Sequence, residues 1–123
     1  MEKKEIKRMH HLFTCVGKKE LEEAEHLYSI FLFFRKSEEV VQIPDQYILN
    51  NPTFIKGFDT YWDTLENAAS GLSYHGMTII PHESLRFFQQ RIENDRYKQN
   101  LSSLDKLCSM GIDENLEILH WGM

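Results

Sequence analysis

The sequence is poor in the residue types that mark several specialised classes of protein. Of its 123 residues, two are cysteine, three are proline and six are glycine. The two cysteines, Cys15 and Cys108, are too few for a disulfide scaffold and do not form a close C-x-x-C pair. The scarcity of proline and glycine excludes a collagen-like or low-complexity chain.

Long hydrophobic runs are also missing. The longest nearly apolar stretch covers residues 27–34 and is interrupted by Ser29. A helix that crosses a bilayer needs about 20 apolar residues, so we expect no membrane partner. Residues 1–9 are charged and carry no apolar core of the kind that a secretory signal requires. The expected compartment is therefore the cytoplasm.

An excess of basic residues is absent. The chain has 14 basic and 19 acidic residues and a formal net charge of −5. Proteins that bind the phosphate backbone of nucleic acids are usually basic, so nucleic acid is not an expected partner. The hydrophobic fraction of 41% and the aromatic fraction of 12% are sufficient for a buried core. The length fits one domain over residues 1–123.

Apolar residues recur mainly at helical spacing. The pattern predicts helices over 18–36 and 52–70, another that begins at Pro81, another over 101–111, and a short charged helix over 2–13. We therefore predict an all-α fold, a compact bundle of four to six helices with at most one short strand or extended segment. The chain is expected to form a single helical domain over residues 1–123.

The segment 52–70 carries the clearest helix signals. Asn51 is a favourable N-cap, Pro52 is favoured at the first helical position, and Gly71 is a natural stop. Between them, apolar residues recur at intervals of three and four: Phe54, Ile55, Phe58, Tyr61, Trp62, Leu65, Ala68 and Ala69.

Three other segments are expected to connect or cover these helices. Residues 40–43 are β-prone but short, and Pro44 limits them because proline cannot donate to a strand ladder. Residues 71–81 are predicted to form an extended loop with two glycines. Residues 115–123 are too apolar for a free terminus and are expected to pack back onto the domain.

The middle of the chain is electrostatically distinct. Residues 37–85 contain seven acidic residues and one basic residue, Lys56, for a charge of −6. On the predicted helix, Asp59, Asp63 and Glu66 would share one face. This face could be solvated, could bind a basic protein, or could hold a cation or perform acid–base chemistry. The charge of the whole segment favours a partner-binding patch over catalysis, and Tyr74 and His75 would lie beside it.

No motif for catalysis or cofactor binding is present. The six histidines form no H-E-x-x-H pattern and no cluster with the cysteines. Neither cysteine lies in a recognisable nucleophile motif, and the glycine-rich nucleotide-binding patterns are missing. We therefore expect no catalytic residue, no metal and no cofactor.

Two stretches resemble a known class of proteins. Residues 71–81, GLSYHGMTIIP, with Glu83, Ser84 and Leu85, resemble a segment of bacterial immunity proteins. The ending ILHWGM is similar to the His-aromatic-Gly-aliphatic ends of such proteins. The class is the immunity proteins of contact-dependent growth inhibition and related polymorphic toxin systems. The two stretches cover 20 of the 123 residues.

This resemblance implies a toxin inhibitor and not an enzyme. Its partner would be a cognate toxin C-terminal domain, often a nuclease, which we expect to be basic. Binding would occlude the toxin's active site, and the expected contact residues are Asp59, Asp63, Glu66, Tyr74 and His75. The alternative function is a small helical adaptor or regulatory domain that binds another protein and has no connection with toxins.

Overall fold

The computed structural model of the protein describes residues 10–23 and 39–122. In these residues, six strands, four α-helices and two 3-10 turns are found. The strands are β1 (His10–Val16), β2 (Val41–Pro44), β3 (Asp59–Trp62), β4 (Ala68–Ser70), β5 (Met77–Ile80) and β6 (Glu117–Trp121). The helices are α1 (Lys18–Glu23), α2 (Pro52–Ile55), α3 (Leu85–Glu93) and α4 (Ser102–Asp113), and the 3-10 turns are Asp45–Tyr47 and His82–Ser84.

All six strands form one antiparallel sheet in the order β2-β1-β6-β5-β3-β4. In its centre, β6 pairs with both β1 and β5. His120 of β6 therefore lies opposite Phe13 of β1 on one side and opposite Thr78 of β5 on the other. Because side chains alternate along a strand, these three residues share one face of the sheet.

The larger core lies between this face and helices α3 and α4. Phe88 of α3 is fully buried and contacts the rings of Phe54 and Phe58 at centroid distances of 5.9 and 4.8 Å. From the sheet, Phe13, Ile80 and Ile118 enter the same cluster. A smaller cluster on the opposite face contains Leu12, Val16, Leu21, Met77, Ile79 and Leu119.

The prediction of an all-α bundle is wrong. Its largest error is the helix over 52–70, since α2 ends at Ile55 and the chain continues into a β3–β4 hairpin. The predicted cap itself is present: the Asn51 side chain accepts a hydrogen bond from the Thr53 N–H at 3.1 Å, and Pro52 is the first helical residue. Gly57 then adopts φ +99°, which a helix cannot contain.

Other segments were also assigned to the wrong element. Residues 10–13 of the predicted helix over 2–13 belong to β1, and 77–80 of the predicted loop form β5. Residues 2–9 and 24–36 of the predicted helices lie outside the described residues. The apolar C-terminal segment does pack onto the domain, but as β6 in the middle of the sheet. Within 10–23 and 39–122, no helix combines the length and apolar character needed to cross a membrane.

Candidate functional site

The hairpin places the three predicted acidic residues apart from one another. Asp59 begins β3 and is exposed, whereas Asp63 follows the other end of that strand with φ +66°. At about 3.3 Å per residue, the four residues of β3 separate the two carboxylates by roughly 10 Å or more. Glu66 is exposed in the hairpin turn. The expected common helix face is therefore wrong for these residues.

Tyr74 and His75 lie in the loop before β5, with their rings edge-on at 4.7 Å. His75 is exposed and Tyr74 is half-buried. Asp63 is at the same end of the sheet, where its carboxylate accepts a hydrogen bond from the Met77 N–H at 3.2 Å. The structure thus brings Asp63, Glu66, Tyr74 and His75 to one end of the sheet and leaves Asp59 at the other.

Beneath this loop lies a chain of buried polar side chains. His11 Nδ1 and His120 Nε2 are 2.8 Å apart, and His11 Nε2 is 2.9 Å from Asp45 Oδ1. Tyr74 donates its hydroxyl hydrogen to the same Asp45 oxygen at 2.7 Å. On the other side, His120 Nδ1 is 3.2 Å from Thr78 Oγ1. We call these five residues the buried histidine chain.

The hydrogen bonds of this chain have one consistent direction. Thr78 Oγ1 accepts from the Ser73 N–H at 2.7 Å, which leaves its own hydrogen for His120 Nδ1. The Asp45 carboxylate can only accept, so His11 donates to it from Nε2. With both imidazoles neutral, His120 donates from Nε2 to His11 Nδ1, and each ring is protonated on Nε2.

Burial agrees with this protonation state. His11, His120 and Thr78 are fully buried. Burial holds the pKa of His120 well below its usual range, and the neighbouring His11 lowers it further. Burial also lowers the pKa of His11, although its hydrogen bond to Asp45 acts in the opposite direction. The two imidazoles and the Thr78 hydroxyl are thus shielded from a substrate, and we assign the chain no catalytic role.

No motif in the sequence predicted this chain. His10 and His11 are adjacent in the sequence, but only His11 faces the interior, and His120 is 109 residues away from it. The one available signal was the strand alternation of residues 10–16, which places His11, Phe13 and Cys15 on one face.

The opposite end of the sheet is strongly acidic. Here β1 and β5 end at Val16 and Ile80, and β3 and β6 begin at Asp59 and Glu117. Nine carboxyl groups of the described residues lie at this end, which we call the acidic end: Glu20, Glu22, Glu23, Glu39, Asp59, Glu83, Asp113, Glu114 and Glu117. The described basic residues of the same region include Lys18, Lys19, Lys56 and Arg86, and the Arg91 guanidinium lies beside Gly57.

Glu117 is the buried member of the acidic end. It is 3% exposed, and its Oε1 has no hydrogen-bond partner within the described residues. Burial raises the pKa of this carboxyl, and the nearby Glu83 and Glu22 act in the same direction. A hydrogen bond from the backbone N–H of His82 and the charge of Lys18 act in the opposite direction. The other eight carboxylates are exposed.

The remaining candidate chemistry is not supported by the geometry. Burial raises the pKa of Cys15 to about 12 and raises that of Cys108 further, so neither thiol is an activated nucleophile. Cys15 instead donates to the Leu107 carbonyl at 3.5 Å. In residues 10–23 and 39–122, no three His, Cys, Asp or Glu side chains form a group that could hold a metal ion.

Comparison with known proteins identifies a structural neighbour. No protein-family model matches the chain, and no curated protein sequence matches it. A solved structure titled "Neisseria DNA mimic protein DMP12" is similar in fold, with a TM-score of 0.53 and 16% identity. The match covers 91% of this chain and 98% of that one. At 16% identity, this similarity concerns the fold alone.

Proposed function

We propose that this protein is a non-enzymatic inhibitor that binds a basic, nucleic-acid-binding protein through its acidic end. The acidic end is the observation that carries this proposal. Among the described residues, it presents eight exposed carboxylates, one buried carboxyl group and fewer basic side chains, on the rim of the sheet.

The physical basis is the imitation of phosphate. A protein that binds DNA or RNA offers Lys and Arg side chains to a dense row of negative charges. Carboxylates on a fixed scaffold carry the same sign of charge as phosphates, so they can bind the same Lys and Arg side chains. The electric field of the carboxylates also attracts the basic partner and speeds the association of the two proteins. The acidic end draws its residues from α1, the α4–β6 turn and the β5–α3 turn, so the framework of the sheet sets their spacing.

Two further points support this function. The solved structure with a similar fold is titled a DNA mimic protein, and mimicry of DNA is the behaviour proposed here. The two imidazoles of the buried histidine chain are fully buried and are not presented to a substrate. Neither point identifies the partner.

A toxin domain is the particular partner that we propose first. The resemblance to immunity proteins leads to a cognate toxin C-terminal domain, and a nuclease toxin would carry the basic site that the acidic end fits. The contact surface proposed now differs from the predicted one. It retains Asp59 but is built mainly from residues such as Glu22, Glu83 and Glu114.

The test compares two double variants with the same net charge. Glu83→Lys/Glu114→Lys changes two residues of the acidic end, and Glu66→Lys/Glu93→Lys changes two exposed carboxylates elsewhere. The tagged wild-type protein is used to recover its partner from cells of its source, and the affinity of each variant for that partner is measured. We expect the first variant to bind about tenfold more weakly or worse and the second to bind like the wild type.

Competition then separates mimicry from adaptor binding. If the acidic end occupies a nucleic-acid site, a short DNA or RNA duplex must displace the protein from its partner, and binding must weaken as salt is added. A partner that the duplex does not displace, or equal binding by the two double variants, would contradict the proposal. An adaptor domain would produce that result.

A further inference from the structure

We propose that the buried histidine chain makes the loop over residues 73–76 proton-sensitive, so that the loop opens as the pH falls below about 6.5. This inference does not depend on the proposed function, because the loop lies at the end of the sheet away from the acidic end.

The loop is held through groups that are themselves hydrogen-bonded to the two histidines. Its Ser73 N–H donates to Thr78 Oγ1, and its Tyr74 hydroxyl donates to Asp45. A third bond joins the Gly122 N–H to the Gly76 carbonyl at 2.7 Å. Two of the three attachments therefore end on members of the histidine chain.

The closed loop is compatible with neutral imidazoles. Protonation of His11 places a hydrogen on its Nδ1, where it meets the Nε2 hydrogen of His120 across 2.8 Å. His120 avoids this contact only in its other tautomer, in which the hydrogen is on Nδ1 and points at Thr78 Oγ1. The buried Thr78 hydroxyl loses its acceptor, and an unsatisfied buried donor is costly.

Several titratable groups among the described residues face the pair. His11 is faced by His10 on β1, by Asp45 on the 3-10 turn, by Tyr74 and His75 on the loop, and by His120 on β6. His120 is faced by His11, by the ring of Phe13 and by Thr78. Asp45 is the one anion among them, and burial outweighs its attraction for a proton on His11.

Tyr74 lies between this pair and the solvent. Its ring is 5.3 Å from that of His11, and it is half-buried while His11 is fully buried. When the loop opens, water reaches His11, whose pKa then returns towards its ordinary value. The open state therefore binds a proton that the closed state does not bind, so a lower pH increases the population of the open state.

The size of the effect follows from one titrating group. An ordinary imidazole with a pKa of about 6.5 is mostly neutral at pH 7.5 and mostly protonated at pH 5.5. The ratio of open to closed loop should then rise about tenfold over these two pH units. His120 adds to this only if the opening also hydrates its ring.

Amide hydrogen exchange of the full chain between pH 7.5 and 5.5 tests the inference. The rates are expressed as protection factors, which removes the pH dependence of the intrinsic exchange. We expect the protection of Ser73 and Gly122 to fall about tenfold and to remain below that of the central strands β1 and β6 at every pH. Protection that is independent of pH would overturn the inference.

Two variants assign the effect to the histidine chain. His11→Gln retains a donor for Asp45 and removes the titration, so the pH dependence should disappear. His82→Gln is the matched control, because His82 contacts the Ile112 carbonyl at the other end of the sheet, and here the dependence should persist. An unchanged fall in His11→Gln would contradict the inference.

A second measurement decides the question if His11→Gln does not fold. Ring nitrogen chemical shifts of the wild-type protein report the tautomer and charge of each histidine. Both His11 and His120 must be neutral and protonated on Nε2 at pH 7.5. A different tautomer or a cation at either position would overturn the inference.

Discussion

His11 and His120 stack with their rings 5.0 Å apart and tilted by only 12°, and one hydrogen bond joins them in the centre of the sheet. Strands β1 and β6 bring them together, and Phe13 packs against the ring of His120 at 4.8 Å. The stability of the protein should therefore depend on pH, because both imidazoles are neutral in the folded state.

The free energy of unfolding should therefore decrease as the pH falls below about 6.5. The unfolded chain protonates both histidines near that pH, whereas their pKa values in the folded protein are lower, so the unfolded state binds more protons. In this window each histidine lowers the stability by up to about 1.4 kcal/mol per pH unit. Urea denaturation from pH 8 to 5 measures this, and a flat profile would show that the pair is not neutral in the fold.

Glu117→Gln should stabilise the protein at pH 7. Burial raises the pKa of the carboxyl, so the native state favours its protonated form, and that contribution to stability is lost as the pH rises through the folded pKa. The glutamine amide does not ionise, so the variant avoids this loss of stability at pH 7. Near pH 4 the substitution should have little effect on the free energy of unfolding. Glu83→Gln is the control, since Glu83 is exposed and nearby, and it should stay within about 0.5 kcal/mol of the wild type. A loss of stability in Glu117→Gln at pH 7 would show that the carboxylate has a stabilising partner.

Phe88→Ala and Phe87→Ala should differ by several kcal/mol. Phe88 is fully buried against Phe54 and Phe58, while its neighbour Phe87 is 63% exposed. Removal of the buried ring leaves a cavity and should cost about 3–5 kcal/mol. Removal of the exposed ring should cost within about 0.5 kcal/mol. Chemical denaturation of both variants checks this, and equal losses would mean that the face of α3 is assigned wrongly.

Gly71→Ala should be strongly destabilising. Gly71 has φ +73°, and a Cβ atom there would overlap the Ile55 carbonyl oxygen. Both the left-handed backbone and this backbone contact oppose a side chain, so we expect a loss of at least about 2 kcal/mol or failure to fold. Gly17→Ala is the matched control, because the closest atom there is the flexible end of Glu20. Similar thermal midpoints for the two variants would contradict this account.

Local signals were predicted correctly because they depend on neighbours in the sequence. Asn51 caps α2 through the Thr53 N–H, and a helix follows Pro81 after one 3-10 turn. A cap of this kind is formed by residues only two positions apart. The helix that contains Leu104, Leu107 and Cys108 was also expected from their spacing, and α4 buries all three.

The sheet could not be predicted from these patterns. Between Phe58 and Trp62 the apolar spacing fits a helix, yet the same residues also alternate, with Phe58 and Thr60 buried and Asp59 exposed. Both periods describe this short segment, and β-prone residues such as Tyr61 and Trp62 follow the strand once β5 is available for pairing. That choice belongs to the tertiary structure.

The sequence by itself determined the acidic charge, the local caps and the residue types that could carry chemistry. Only the tertiary structure decided which of those residues meet. Strand pairing joins His11 to His120 and gathers Glu22, Glu83 and Glu114 at the acidic end, whereas Asp59 and Asp63 are separated along one strand. The physical reason is that hydrogen bonds between strands connect residues without regard to their distance along the chain, so a site on a sheet is assembled by register.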